Sequence, residues 1–244
     1  MRYGVMVNGE FEDRELVEIK AKGFDKAMLG REGTYDNYVM KEINASYGVL
    51  DVEDKIVLDI GANIGCFSVW AAEHGAAEVI AVEPETQNYQ MMLLNTDGWK
   101  LLLDIDDLNN DLFRLHNAAL TVEDVGSIDL HLSPTGKNPG NTSTTPRRGR
   151  TSTRVDALSI GELFRHHPRI DVLKMDCEGG EFELLPELIK HKHLKQIVLE
   201  YHINGFGVEK VQALHDTMVR EGWTVTKEPR IEPNLWQTIG GYSR

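Results

Sequence analysis

The chain has 244 residues, 41% hydrophobic and 27% charged, with a formal net charge of −13 and a mean hydropathy of −0.34. That length holds one sizeable α/β domain with elaborations, and the acidity argues against non-specific binding to nucleic acid or an anionic membrane. Cys66 and Cys177 are too few for a disulfide framework or a cysteine zinc site, no apolar run reaches the roughly 20 residues of a membrane span, and the start turns polar too soon for a signal peptide, which together predict a cytoplasmic protein.

Residues 3–7 and 11–19 alternate loosely about Asn8-Gly9 and predict a β-hairpin. Residues 31–39 read as a loop entering a helix with Val39, Ile43 and Tyr47 on one face, stopped by Gly48. Residues 55–61 form the first core strand, 64–74 a helix ended by Gly75, and 78–83 the second strand. Pro84 opens a helix that turns Tyr89, Met92 and Leu93 inward and ends by Gly98. Residues 99–110 are polar-rich around Leu101-Leu102-Leu103 and take no assignment. Residues 113–120 read as the third strand, and the alternation of 127–132 as another.

Residues 134–152 are rich in Gly, Pro, Ser, Thr, Asn and Arg and predict a long loop. Between Ser133 and Val155 stand Lys137, Arg147, Arg148, Arg150 and Arg154 with no acid, against the overall charge. This basic 133–152 stretch has two readings, a solvated surface loop or a lid over an acidic or phosphorylated acceptor. Ser159 and Glu162 have capping-box spacing for a short helix through His166. Residues 172–176 form the fourth core strand, running into Cys177-Glu178-Gly179-Gly180-Glu181 and a helix disturbed near Pro186. Residues 196–201 form the fifth, ending Glu200-Tyr201-His202. Val208, Val211, Leu214 and Met218 share one face of a helix that stops at Gly222, and 223–226 with 235–239 close the chain as an antiparallel pair. Strand and helix alternate from 55 to 222, which predicts an α/β fold with a mostly parallel sheet covered on both faces. We expect a single domain over 1–244, with residues 1–50 as an N-terminal extension.

The run Val57-Leu58-Asp59-Ile60-Gly61-Ala62-Asn63-Ile64-Gly65 is a strand, a glycine turn and a helix start. Such a turn lets a ligand approach bare backbone, and the helix start offers free N–H groups. Glu83, at the end of the second strand, is placed to accept from two ribose hydroxyls. A nucleoside cofactor follows, and the turn discriminates between two. A dinucleotide fold wants G-x-G-x-x-G, but Asn63 and Cys66 stand where its second and third glycines belong. A side chain at 63 crowds a pyrophosphate and Asp59 repels it. S-adenosylmethionine, with an amino group and a sulfonium, tolerates both.

The phrases VLDIGANIGCFSVWAA, AVEPETQN, HNAAL and LKMDCEGGEFELL, in that order, resemble the FkbM-type S-adenosylmethionine-dependent methyltransferases. The resemblance covers roughly residues 33 to 205 and includes GTYDNYV before the first core strand. It implies a seven-stranded class I methyltransferase (Rossmann-like) fold and O-methylation of hydroxyls on sugars, glycans or secondary metabolites. Carried over by position, it puts Asp59, Gly61, Ala62, Asn63 and Gly65 at the cofactor's amino acid end and Glu83 on its ribose. It also puts Asn117 and Ala118 near its adenine, and adds Asp36 and Asp176 to the cofactor set. The 133–152 loop matches no motif of the family.

A hydroxyl acceptor must lose its proton or be held on a metal, and in an open parallel sheet the groups for this sit at the strands' carboxyl ends. Asp176, Glu178, Glu200 and His202 stand there and form the candidate catalytic set. Asp176 is expected as general base or metal ligand, against a role capping the next helix. Glu181 reads as a first-turn acid favouring the helix dipole, and Lys174 as the partner of an acid. Asp176, Glu200 and His202 are the candidate ligands of a divalent metal, although no spacing is diagnostic. His166, His167, His191 and His193 read as exposed helix-end residues. A nicotinamide-dependent oxidoreductase and a catalytically silent S-adenosylmethionine-binding module are the alternatives. No nucleic-acid partner is expected, since Asp176-Cys177-Glu178-Gly179 stands where a nucleic-acid methylase would carry Asn/Asp-Pro-Pro-aromatic. Sequence leaves the acceptor and the oligomeric state open.

Overall fold

The computed structural model describes residues 2–7, 10–25, 27–102, 112–133, 141–146 and 150–244. Strands β1 (Arg2–Val7), β2 (Glu10–Ile19) and β3 (Met28–Arg31) form an antiparallel sheet in that order. The expected hairpin is thus joined by a third strand, while its turn at Asn8-Gly9 lies outside the described residues. Helix α1 (Asp36–Tyr47) follows, with Met40, Ile43 and Tyr47 buried.

The chain then alternates: β4 (Ile56–Ile60), α2 (Cys66–Glu73), β5 (Glu78–Val82), α3 (Thr86–Leu102), β6 (Phe113–His116), β7 (Ala119–Thr121), β8 (Ser127–His131) and β9 (Ser152–Ser159). It continues through α4 (Ile160–His166), β10 (Val172–Met175), α5 (Glu181–Leu188), β11 (Gln196–His202), α6 (Val208–Arg220), β12 (Thr224–Lys227) and β13 (Gln237–Ser243). The main sheet has seven strands in the order β12-β13-β11-β10-β4-β5-β6. Within it β11, β10, β4, β5 and β6 run parallel, and β13 lies antiparallel between β11 and β12. Strands β7, β9 and β8 form a separate small sheet.

The central strands are apolar runs because both of their faces are covered. Side chains alternate across the sheet. Val57, Val79, Val172 and Val198 pack with Phe67 and Trp70 of α2 and Ile43 of α1. Leu58, Ile80, Leu173 and Leu199 pack on the other side with Leu163 of α4, Leu185 of α5 and Val211 of α6. The chain leaves β4 toward β5 and β6, then returns to place β10 on β4's other side. That reversal of direction opens a crevice at the carboxyl ends of β4 and β10, where ligands bind in open α/β sheets.

Two expected elements differ. Residues 113–120 are not one strand: β6 ends at His116, and β7 pairs with β9 outside the main sheet. Asn117 makes the break, its side chain donating to the carbonyls of Glu83 (2.9 Å) and Pro84 (3.3 Å). Helix α3 runs through Gly98 to Leu102, since one glycine costs only about 1 kcal/mol within a run of helix formers. The rest of the unassigned 99–110 stretch, with Leu103, is outside the described residues. The short helix after Ser159 starts as expected, with Ser159 Oγ accepting from the Glu162 N–H at 3.1 Å. Among the described residues, no helix is long and apolar enough to cross a membrane.

Candidate active site

Beyond β4 the backbone turns at Gly61, whose φ is 72°. A Cβ there would collide with the carbonyl oxygen of Asp176, so glycine is required for both conformation and space. Asn63 follows at φ 54°, a left-handed conformation that asparagine tolerates better than most residues. Its N–H donates to Glu83 Oε2 at 2.8 Å. Its own Oδ1 is buried with no hydrogen-bond partner. Gly65, at φ 85°, opens α2 against the side chain of Met92.

Glu83 ends β5 with only 3% of its surface exposed. Its Oε1 accepts from the Glu85 N–H at 2.9 Å and from Asn88 Nδ2 at 3.3 Å. Burial nevertheless wins over these bonds and pushes the carboxyl up to about 7. Asn88 Oδ1 in turn accepts from Arg31 Nη2 at 2.8 Å, and the Arg31 guanidinium holds both oxygens of Asp36 at 2.9 Å. A buried polar chain therefore runs from β3 and α1 to the acid at the mouth of the sheet.

Gly61, Ala62, Asn63 and Glu83 line one cavity of about 510 Å³, together with Asp176, Glu178 and Glu200. Its size is in the roughly 300–1,000 Å³ range of small-molecule sites. Several residues of the expected cofactor set lie elsewhere. Asp59 is fully buried beneath the turn, accepting from Ser68 Oγ at 2.7 Å and paired with Lys174 Nζ at 3.0 Å. Lys174 Nζ also donates to the Gly61 carbonyl at 2.8 Å. Asp59 thus braces the turn and does not line the cavity. Asp36 is spent on Arg31, and Gly65 packs against α3. Asn117 pins the end of β5 and Ala118 is buried, while the neighbouring Ala119 and Leu120 reach the cavity instead.

At the other end, register brings β10 and β11 side by side and gathers four side chains. His202 Nε2 lies 3.8 Å from Asp176 Oδ1, 3.6 Å from Glu178 Oε2 and 3.7 Å from Glu200 Oε1. The three carboxylates line the cavity and His202 sits behind them. Asp176 does not cap α5, whose N-cap is Gly180 with no side-chain bond. Glu178 takes a left-handed φ of 51°, and Ser143 Oγ donates to its carbonyl at 2.7 Å. Burial pushes the carboxyls of Asp176 and Glu200 upward, and their mutual charge pushes Glu200 further. Burial opposes a charged His202, but Glu178 and Glu181 outweigh it and hold the imidazolium well above the usual histidine range. Lys174 is likewise held up against burial by Asp59, Asp176 and Glu200.

Glu181 is more than a helix-dipole acid. It is fully buried, and its Oε1 meets both the backbone N–H (3.0 Å) and Nδ1 (3.1 Å) of His202. Further cavity residues were not among the expected site residues: Tyr35 and Tyr38, which fall in the GTYDNYV phrase, Glu42 of α1, and the exposed Trp236 before β13. Asn141, Thr142 and Thr144 of the basic stretch also line the wall, and Arg150 holds Asn141 through its carbonyl at 2.6 Å and its side-chain oxygen. Arg154 pairs with Asp129 at 3.5 Å, whereas Lys137, Arg147 and Arg148 lie outside the described residues. His166, His167, His191 and His193 do not line the cavity; His167 is half-buried beside Glu78 at 3.5 Å, and His191 stacks on Phe164.

Comparison with known proteins gives a family and a fold. The family model of the methyltransferase FkbM domain matches residues 59–222. The AMB antimetabolite synthetase AmbE of Pseudomonas aeruginosa is 26% identical over 230 residues, covering 80% of this chain. The chain spans only 11% of the length of that relative. The crystal structure of methyltransferase FkbM from Methylobacillus flagellatus KT shares the fold, with a TM-score of 0.51 at 15% identity, over 86% of this chain and 46% of that one.

Proposed function

The chain belongs to the FkbM methyltransferase family, and from that premise we propose that it transfers a methyl group from S-adenosylmethionine to a hydroxyl oxygen of a sugar, glycan or secondary metabolite. One observation carries the reading: a cofactor-type turn and a cluster of proton acceptors face the same cavity. When bound, S-adenosylmethionine supplies a methyl group activated by its sulfonium.

The residues present fit that cofactor. Gly61 gives bare backbone at the turn, and the unpartnered Asn63 Oδ1 is an acceptor for an ammonium. Glu83 keeps lone pairs for ribose hydroxyls beyond the bonds it already accepts. Asn63 also puts a side chain where a pyrophosphate needs bare backbone, which counts against a nicotinamide dinucleotide.

At the acceptor end, Asp176 takes the hydroxyl proton. Its raised affinity for protons suits it to the task better than an ordinary surface carboxylate. Glu200 and Glu178 share the wall, and His202 behind them supports the charge. The cavity wall carries Glu42, Glu178 and Glu200 with the aromatic rings of Tyr38 and Trp236, so it favours a neutral or cationic acceptor with an apolar face. We read the whole of 1–244 as one unit, because α1 and the basic stretch both furnish cavity walls.

Calorimetry with S-adenosylhomocysteine on the purified chain tests the donor. One binding site per chain is expected; no binding would remove the reading.

A further inference from the structure

His202 is held in an unusual way. Its backbone N–H and its Nδ1 both engage Glu181 Oε1, while Glu181 Oε2 accepts from the Gly179 N–H at 2.8 Å. A carboxylate only accepts, so Nδ1 carries the hydrogen. The other ring nitrogen, Nε2, faces Asp176, Glu178 and Glu200. It is buried and makes no hydrogen bond. A lone pair aimed at three carboxylate oxygens is repelled unless positive charge lies between them. A proton on Nε2 answers that need in the metal-free protein, but at 3.6–3.8 Å it reaches none of the three oxygens at hydrogen-bond length, and a bound cation would displace it and take up the shorter contacts. The buried ammonium of Lys174 is committed to Asp59 and the Gly61 carbonyl.

We propose that Asp176, Glu200 and His202, with Glu178 beside them, bind one divalent cation of the Mn²⁺ or Mg²⁺ class. The proposal rests on the methyltransferase reading only for the cation's purpose, since the ligands themselves need no methyl donor. Donor atoms of Asp176, Glu200 and His202 all lie within 4.8 Å of one another. Metal–oxygen distances near 2.1 Å set neighbouring donors about 3 Å apart and opposed donors about 4 Å apart. The His202 Nε2 spacings of 3.6–3.8 Å fall between those limits, and modest side-chain rotation would close the rest of the site. Hard carboxylate oxygens with a single imidazole favour Mn²⁺, then Mg²⁺, over thiolate-seeking metals. The Glu181 bond to Nδ1 is the outer support that metal-binding histidines carry: it fixes the tautomer and makes Nε2 more basic. Asp176 and Glu200 also face the cavity, so an open coordination position there meets the oxygen of an acceptor hydroxyl.

The test is a Mn²⁺ titration of chelator-stripped protein, followed by the loss of the free Mn²⁺ electron paramagnetic resonance signal, with and without S-adenosylhomocysteine. One Mn²⁺ per chain is expected, displaced by excess Mg²⁺, with a rise in melting temperature. Glu200→Gln should weaken binding about tenfold or more while leaving S-adenosylhomocysteine affinity near wild type. Wild-type protein that binds S-adenosylhomocysteine but depletes no Mn²⁺ at millimolar metal would overturn the proposal. So would a folded Glu200→Gln protein with unchanged Mn²⁺ affinity. Mn²⁺ binding without S-adenosylhomocysteine binding would uphold the cation site and remove the cofactor reading instead.

Discussion

Lys174 Nζ sits 3.0 Å from Asp59 Oδ1 and 2.8 Å from the carbonyl oxygen of Gly61. The two residues are Cα partners across β4 and β10, so the pair is fixed by strand register. It joins the cofactor turn to the strand that carries Asp176. Lys174→Met would leave the Asp59 carboxylate buried with only Ser68 for company, at a cost of about 3–5 kcal/mol. Urea denaturation checks this. The double variant Asp59→Asn with Lys174→Met should recover much of the loss, because no unpaired charge then remains.

Glu83 makes stability and ligand binding depend on pH. Its folded carboxyl is pushed up to about 7 from an ordinary value of 4.5. The folded state therefore holds a proton there that the unfolded state has released, and stability falls as pH rises through that window. Ribose hydroxyls donate to the ionised form, so S-adenosylhomocysteine should bind more tightly at pH 8 than at pH 6. Glu83→Gln should bind about tenfold or more weakly and lose the difference between the two pH values. Calorimetry at both pH values measures it.

Asn63 separates stability from binding. Its φ of 54° is one that glycine adopts freely. Asn63→Gly should leave the melting temperature near wild type, while removal of the unpartnered Oδ1 weakens S-adenosylhomocysteine by about tenfold, or roughly 1.4 kcal/mol. Equal affinities in the two proteins would mean that Oδ1 does not meet the ligand.

Tyr242 is a structural test away from the cavity. Its hydroxyl bonds Tyr201 Oη at 2.6 Å and His215 Nδ1 at 2.7 Å, all three residues buried. Tyr242→Phe strands two polar groups and should cost about 2 kcal/mol, read by urea denaturation.

How far the chain was legible follows from the range of each interaction. The strand, turn and helix at 57–65 could be read because a strand buried on both faces is a continuous apolar run and a left-handed turn wants glycine. The gathering of Asp176, Glu178, Glu200 and His202 followed from the rule that ligands sit at strand ends. Asp59 was expected to face the cofactor because its partner, Lys174, lies on a distant strand and only register brings them together. Glu181 read as a dipole acid because His202 comes from the next strand. The break at Asn117 depends on carbonyls after β5, and Trp236 joins Tyr38 in lining one cavity only through the folded chain. Local pattern carries none of these.

Methyl transfer to oxygen by the cluster around Asp176 can be read from the product itself. The most direct measurement gives wild type and Asp176→Asn a methyl-labelled S-adenosylmethionine with fractionated host extract, and identifies the labelled product. Wild type should give an O-methyl product and Asp176→Asn none, although that variant still binds S-adenosylhomocysteine. A product labelled on nitrogen or carbon, or wild-type turnover by Asp176→Asn, would contradict it.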